Sequence, residues 1–156
     1  MTRPRWQDDG GVLAWSALLR AHAAVVRSLE RDVERSTGLS LSWYDVLLEL
    51  NAAGEGRMRM QDLGEAAVLS RTRVSRIVDE MERAGLARRD ADPDDGRAVL
   101  ASITPAGRTA LRRAAPVYLA AIHEHFADHL SPDQVSSVRD AMDTLLDRSP
   151  DELGAK

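Results

Sequence analysis

Cysteine is absent from this chain of 156 residues. That excludes disulfides, thiolate metal ligands, cysteine nucleophiles and thiol-based peroxide sensing together. Lysine is nearly absent: Lys156 stands alone against 20 arginines. With 23 alanines this reads as a GC-rich coding bias, so abundant arginine is not by itself a sign of DNA binding. No glycine-rich phosphate cradle, metalloprotease His-Glu pattern or nucleophile–base pair occurs, which argues against an enzyme. No cofactor is expected. Residues 1–10 lack the apolar core of a signal peptide, and no apolar run approaches ~18 residues. A cytoplasmic protein without a membrane-spanning segment is the expectation.

What is present is a chain with 44% apolar and 29% charged residues, the balance of one globular domain. The net charge of -4 is unevenly spread. Residues 57–113 hold 12 arginines against 9 acids, while the flanks are acidic. A basic centre between acidic flanks suits a nucleic-acid face, although random scatter gives the same counts.

Apolar periodicity predicts a helix from Val12 to about Ser36, stopped by Gly38. A second helix is expected from a Ser42 cap, with Asp45 as the capping acid and Leu41 and Val46 as a staple, ending at Gly54 and Gly56. Residues 57–60 read as a strand stub and 61–67 as a short helix. Ser70 caps a helix to about Ala84, with Gly85 as its C-terminal glycine. Strands follow at 86–90 and 98–103, around a turn cluster from Ala91 to Gly96. In the second strand Val99, Ala101 and Ile103 should share a face. Thr104-Pro105 opens a long helix whose stripe of Leu111, Ala115, Tyr118, Ile122 and Phe126 runs unbroken past Pro116, predicting a kink rather than an end. Ser131-Pro132-Asp133-Gln134 caps a last helix bearing Val135, Val138, Met142, Leu145 and Leu146 on one face. The first ten and last seven residues should fray. The fold class is therefore mainly α with a small β-hairpin wing: a winged helix-turn-helix domain over 41–103, with helical regions at 1–40 and 104–156.

In this arrangement the sequence resembles the MarR family of winged helix-turn-helix transcriptional regulators. The resemblance rests on Gln61-Asp62-Leu63, on Ser70 through Val78, on Met81-Glu82-Arg83-Ala84-Gly85-Leu86, on Arg88-Arg89, on Asp95-Gly96-Arg97 and on Ile103-Thr104-Pro105-Ala106-Gly107. It extends over roughly 12–147. Two positions depart from the family pattern. Gly64 stands where alanine is usual, at ~1 kcal/mol of helix propensity. The wing tip reads Asp-Gly-Arg rather than Asp-Arg-Arg, so one phosphate or groove contact is missing.

On a wheel of about 100° per residue, Val74, Ile77, Val78 and Met81 form one face of the 70–84 helix. Thr72 and Arg76 lie opposite, flanked by Arg73 and Ser75. These four are candidates for base edges, since Arg forks onto guanine and Thr meets the thymine methyl. Arg71 and Ser70 are candidates for phosphate. Alternatively, Asp79 and Glu80 simply pair with Arg83 and Arg76 on a solvated face. The wing offers Arg88, Arg89 and Arg97. The resemblance implies that Arg97 enters the minor groove, with Asp95 orienting it or bracing the hairpin. The acids Asp90, Asp92, Asp94 and Asp95 should repel DNA locally.

The resemblance also implies a homodimer through the first, long and last helices, on a near-palindromic duplex DNA operator. It implies a small aromatic or anionic effector as well, for which Trp15, His22, Trp43, Asp45 and Tyr118 are candidates, each equally readable as core or cap. His123, His125 and His129 have the spacing of a zinc pair at 125 and 129, but no metal is assigned; a dimer-interface or solvated role is expected. The function expected is a repressor released by its effector. The alternatives are a winged-helix DNA binder without ligand response and a winged-helix protein-interaction module.

Overall fold

The computed structural model describes residues 9–93, 95 and 98–147. Six α-helices and three strands are found among them: α1 (Gly10–Thr37), α2 (Leu41–Ala52), β1 (Arg57–Arg59), α3 (Met60–Ala66), α4 (Arg71–Arg83), β2 (Ala87–Ala91), β3 (Val99–Ile103), α5 (Pro105–His125) and α6 (Pro132–Leu146). The frayed ends expected of the chain fall outside these residues, apart from Asp9 and Gly10. Asp9 caps α1 ahead of the predicted start, its Oδ1 accepting from the Gly11 and Val12 amides at 2.8 and 3.2 Å. Gly38 ends α1 as expected, at φ 71°, a conformation that other residues adopt only at a cost.

The start of α2 corrects one expectation. Its cap is Ser40, whose hydroxyl accepts from the Trp43 amide, rather than Ser42. Asp45 therefore lies past the capping turn. The two serines flank Leu41, and the choice fell to the register that buries Leu41, Tyr44, Val46, Leu47 and Leu50 together. The strand at 99–103 also differs: Val99 is exposed, while Leu100 to Ile103 are all buried, because β3 is the central strand of the sheet β1-β3-β2. Both pairings are antiparallel, with Arg57 opposite Ser102 and Ala87 opposite Ile103.

The lobe built from α2, α3, α4 and the sheet is sealed by Leu47, Leu50, Leu63, Met81, Val46, Val74 and Val78, none more than about 1% exposed. Gly64 has a reason for lacking a side chain. A methyl there would sit 3.3 Å from the Leu69 carbonyl and 3.4 Å from Val74 Cγ1, so it lets α3 and α4 approach. The turn between them carries a strained residue. Val68 adopts φ 54° while 90% exposed. The left-handed region costs a β-branched residue ~1–2 kcal/mol.

Thr104 makes the junction to α5. Its hydroxyl accepts from the Gly107 amide at 3.0 Å and donates to the Gly85 carbonyl at 2.7 Å, while its own amide donates to the Leu86 carbonyl at 3.1 Å. Gly107 packs so closely that a Cβ would lie 2.1 Å from the Leu86 oxygen. Pro116 lies inside α5, which continues to His125 as expected. The helix ends there, however, and Phe126 leaves it at φ -137°.

The outer helices are packed differently. Leu29 and Val33 are buried in α1, and no residue of α6 is buried. Val12, Leu13, Trp15 and Leu19 on α1, Leu119 on α5, and Val135, Val138, Leu145 and Leu146 on α6 are all exposed. The capping box at Ser131 and Gln134 is formed as predicted. By length and composition α1 is apolar enough to cross a bilayer, with a mean hydropathy of 1.2 over 18 residues. Small residues lifted that average: Ala14, Ala17, Ala21, Ala23 and Ala24 join its larger apolar side chains without making a continuous run.

Candidate nucleic-acid interface

Helix α4 begins where its sequence says. The Ser70 hydroxyl accepts from the Arg73 amide at 3.3 Å, satisfying one of the free donors of the first turn. At the other end the Leu86 amide reaches the Met81 carbonyl at 2.9 Å and the Gly85 amide reaches Glu82 at 3.0 Å, a Schellman closure with Gly85 at φ 73°. Val74, Ile77, Val78 and Met81 are buried as the wheel predicts. That leaves Arg71, Thr72, Arg73 and Arg76 exposed on the first two turns.

These side chains differ in freedom. Arg76 is 74% exposed and lies 3.8 Å from Glu80, the loose pair foreseen in the sequence. Arg73 donates to the Ser42 hydroxyl on α2 at 3.3 Å. Arg71 lines a cleft of about 430 Å³ between α3, the start of α4 and the wing, shared with Gln61, Ser75 and Val99. Ser75 is half-buried, and both its carbonyl and its hydroxyl accept from Arg89, at 3.0 and 3.3 Å.

The wing corrects two expectations. Arg89 is not presented outward: its guanidinium is held by Asp79 and Glu82 of α4 as well as by Ser75. The reason is packing, since β2 lies against α4 and brings Arg89 to those acids. The wing acids, in turn, are not a bare repulsive cluster. Asp92 is buried and accepts from Arg59 Nε and Nη2 at 2.9 and 2.8 Å. Asp90 accepts from the Ser102 hydroxyl at 2.7 Å and from Arg88 at 3.0 Å. The Ser102 bond, then the Arg88 bond, hold its carboxyl below the usual carboxylate range against the opposing effect of burial. Asp95 braces the turn through its carbonyl, which accepts from the Ala98 amide at 2.9 Å. Arg97, Asp94 and Gly96 lie outside the described residues.

The effector candidates separate into two groups. Burial, then the Asp45 charge, push the Tyr118 phenol up, and the Tyr118 ring, tilted by 35°, lies 4.4 Å between centroids from that of Tyr44, a residue that sequence reasoning missed. Its signal was available: Tyr44 follows Leu41 by three residues on the buried face of α2. Trp43 packs half-buried against the same core. Burial, then Glu49 and Glu30, push the Asp45 carboxyl up from its ordinary value. Trp15 and His22, by contrast, are exposed on α1.

The histidines do not form the spaced pair. Because α5 ends at His125, His129 sits in a separate 3-10 turn. His125 Nε2 instead lies 2.6 Å from Asp32 Oδ2 on α1, and this bond is the main cause holding the Asp32 carboxyl below its usual value. Glu124 is within 4.8 Å of that pair. Arg35 also engages Asp32.

A helix-turn-helix with a polar, arginine-bearing face on its second helix, followed by a hairpin wing, defines a winged-helix DNA-binding protein. The comparisons narrow this. The family model described as "MarR family" matches residues 37–98. A crystal structure of Sco3205, a MarR family transcriptional regulator from Streptomyces coelicolor in complex with DNA, is 30% identical with a TM-score of 0.83, covering 94% of this chain and 91% of that one. AbsC, a MarR family transcriptional regulator from the same organism, is 30% identical with a TM-score of 0.84, covering 98% and 100%. The uncharacterized HTH-type transcriptional regulator YkoM of Bacillus subtilis (strain 168) is 33% identical over 79 residues, and that match spans about half of either chain, 51% of each. The chain belongs to the MarR family of transcriptional regulators.

Proposed function

We propose that the chain is a homodimeric, cytoplasmic repressor that reads a near-palindromic duplex operator and is released by a small ligand. The observation that carries the reading is the exposed rank of Thr72, Arg73 and Arg76 on the first turns of α4, opposite a face that is wholly buried. In this reading Thr72, Arg73 and Arg76 meet base edges, while Ser70, Arg71 and Arg88 meet phosphate. Arg97, by the family resemblance, enters the minor groove. The apolar faces of α1, α5 and α6 close the dimer, setting the two α4 helices about one duplex turn, ~34–36 Å, apart. The relative bound to DNA supports the partner class.

The test is Arg76→Ala. Specific binding should weaken by ~1–3 kcal/mol, with relaxed preference at one position of each half-site. Unchanged affinity at physiological salt overturns the assignment of Arg76.

For the ligand, the favoured location is the part of α2 and α5 that carries Trp43, Asp45 and Tyr118, where Trp43 and Tyr118 pack half-buried against one core. Burial, then the charges of Glu49 and Glu30, already disfavour the charged form of Asp45, which favours an uncharged aromatic ligand over an anionic one there. Calorimetry of a discovered ligand, with and without operator, checks this. Induction of ~100-fold requires coupling of about 2.7 kcal/mol, and saturating DNA must weaken the ligand by the same factor. Equal affinity in both titrations leaves a DNA binder without ligand response.

A further inference from the structure

Arg89 stands on β2, yet its side chain belongs to α4. Its guanidinium is engaged at four acceptors: Asp79 Oδ1, Glu82 Oε2 at 3.2 Å, and the Ser75 carbonyl and hydroxyl at 3.0 and 3.3 Å. The backbone amide of Arg89 adds a bond to Glu82 Oε1 at 3.0 Å. Only 24% of the side chain is exposed, against 67% for Arg88 and 74% for Arg76. The attachment points span two turns of α4, and the first of them, Ser75, is the neighbour of Arg76. On its other side the hairpin is tied down by the Arg59–Asp92 pair at 2.8 Å.

We propose that Arg89 is a positioning residue for operator reading, which clasps the wing to α4 at one fixed angle. The inference rests on the DNA-reading proposal above. A duplex presents base edges and phosphates at fixed spacings, so two protein elements read it together only when their separation is set beforehand. Turning Arg89 outward to a phosphate would leave Asp79 and Glu82 without their cation beside the polyanion. A planar guanidinium serves better here than an ammonium, because its donors diverge to a carbonyl, a hydroxyl and two carboxylates at once. The clasp therefore contributes discrimination between sequences without contributing a phosphate contact.

The experiment compares wild type, Arg89→Gln and the double variant Asp79→Asn, Glu82→Gln. Two duplexes are used: one selected from a random pool by the wild-type protein, and a scrambled one. Affinities are measured over a salt series, and amide exchange is followed in β2 and β3. Arg89→Gln should lower the ratio of selected to scrambled affinity about tenfold, leave the salt slope unchanged and speed exchange in the wing. The double variant should lower the ratio likewise, which keeps the test in force should Arg89→Gln not fold. A salt slope reduced by about one, with both duplexes weakened equally, would make Arg89 a phosphate contact and overturn the clasp. So would tighter binding of both duplexes by the double variant, or an unchanged ratio in both proteins. If wild type selects no duplex, the DNA reading falls and the clasp's role with it; if it does, these outcomes judge the clasp alone.

Discussion

The winged-helix lobe and the helices around it are built on opposite terms. In the lobe, seven large side chains are essentially without solvent contact, and the cations of the sheet are matched with acids, Arg59 with Asp92 and Arg89 with Asp79 and Glu82. In the outer helices, α6 buries nothing, and Trp15, Leu119 and Leu146 are 60, 58 and 80% exposed. The lobe is complete within one chain, whereas the outer helices carry apolar faces that one chain leaves uncovered. Exposed patches of this kind mark interaction surfaces. Completeness is thus a local property, and a chain can hold a finished reader on an unfinished frame.

The largest expected effect breaks the frame alone. Ending the chain before Ser131 should abolish the proposed dimer and, with it, tight operator binding, while the lobe's own amides stay protected from exchange. A stable, DNA-binding dimer of the shortened chain in sedimentation would show that α6 is dispensable and that the two regions are less distinct than described.

Next in size is damage to the lobe. Gly107→Ala places a methyl 2.1 Å from the Leu86 carbonyl, a backbone atom that cannot swing aside. The expected loss is about 3 kcal/mol, at the upper end for overpacking. Urea unfolding measures it, and a loss below ~1 kcal/mol would mean that the junction yields more readily than its hydrogen bonds to Thr104 suggest.

The smallest effect sharpens the boundary between the regions, where burial, then the charges of Glu49 and of Glu30 on α1, act on Asp45 of α2. Its folded pKa lies above its unfolded one, so the folded state holds the proton more tightly. Stability contributed by this group is present at low pH and is lost as pH rises through the folded pKa. Asp45→Asn should therefore raise the melting temperature at pH 7 and lose that advantage in acid, below the ordinary carboxylate value of 3.8. A variant less stable than wild type at pH 7 would assign Asp45 a favourable partner instead.

What the sequence discloses follows from range. The caps at Ser70, Thr104 and Ser131 and the closure at Gly85 are decided within a few residues, and each was readable there. At the cap of α2, Ser40-Leu41-Ser42 offers two nearly equal local answers, and only the distant core chooses Ser40. The buried face of α4 was legible as a periodicity. The fate of Arg89 was not, since its acceptors lie 7 to 14 positions away on another element. The histidine spacing misled for a related reason: regular numbering implied a continuous helix, and α5 stops at His125.

Thr104 leaves no slack between wing and long helix. Its side chain and amide bind Gly85, Leu86 and Gly107, the ends of three elements at once. Helix α5 is 21 residues long, a rod of ~31 Å. Mechanically it is a lever soldered to the reading head. A pivot of ~5° at its far end displaces the head by ~3 Å, nearly the ~3.4 Å rise between neighbouring base pairs. A small angular event among the outer helices would thereby shift the head by nearly one base-pair step, with no part of the head having to change shape.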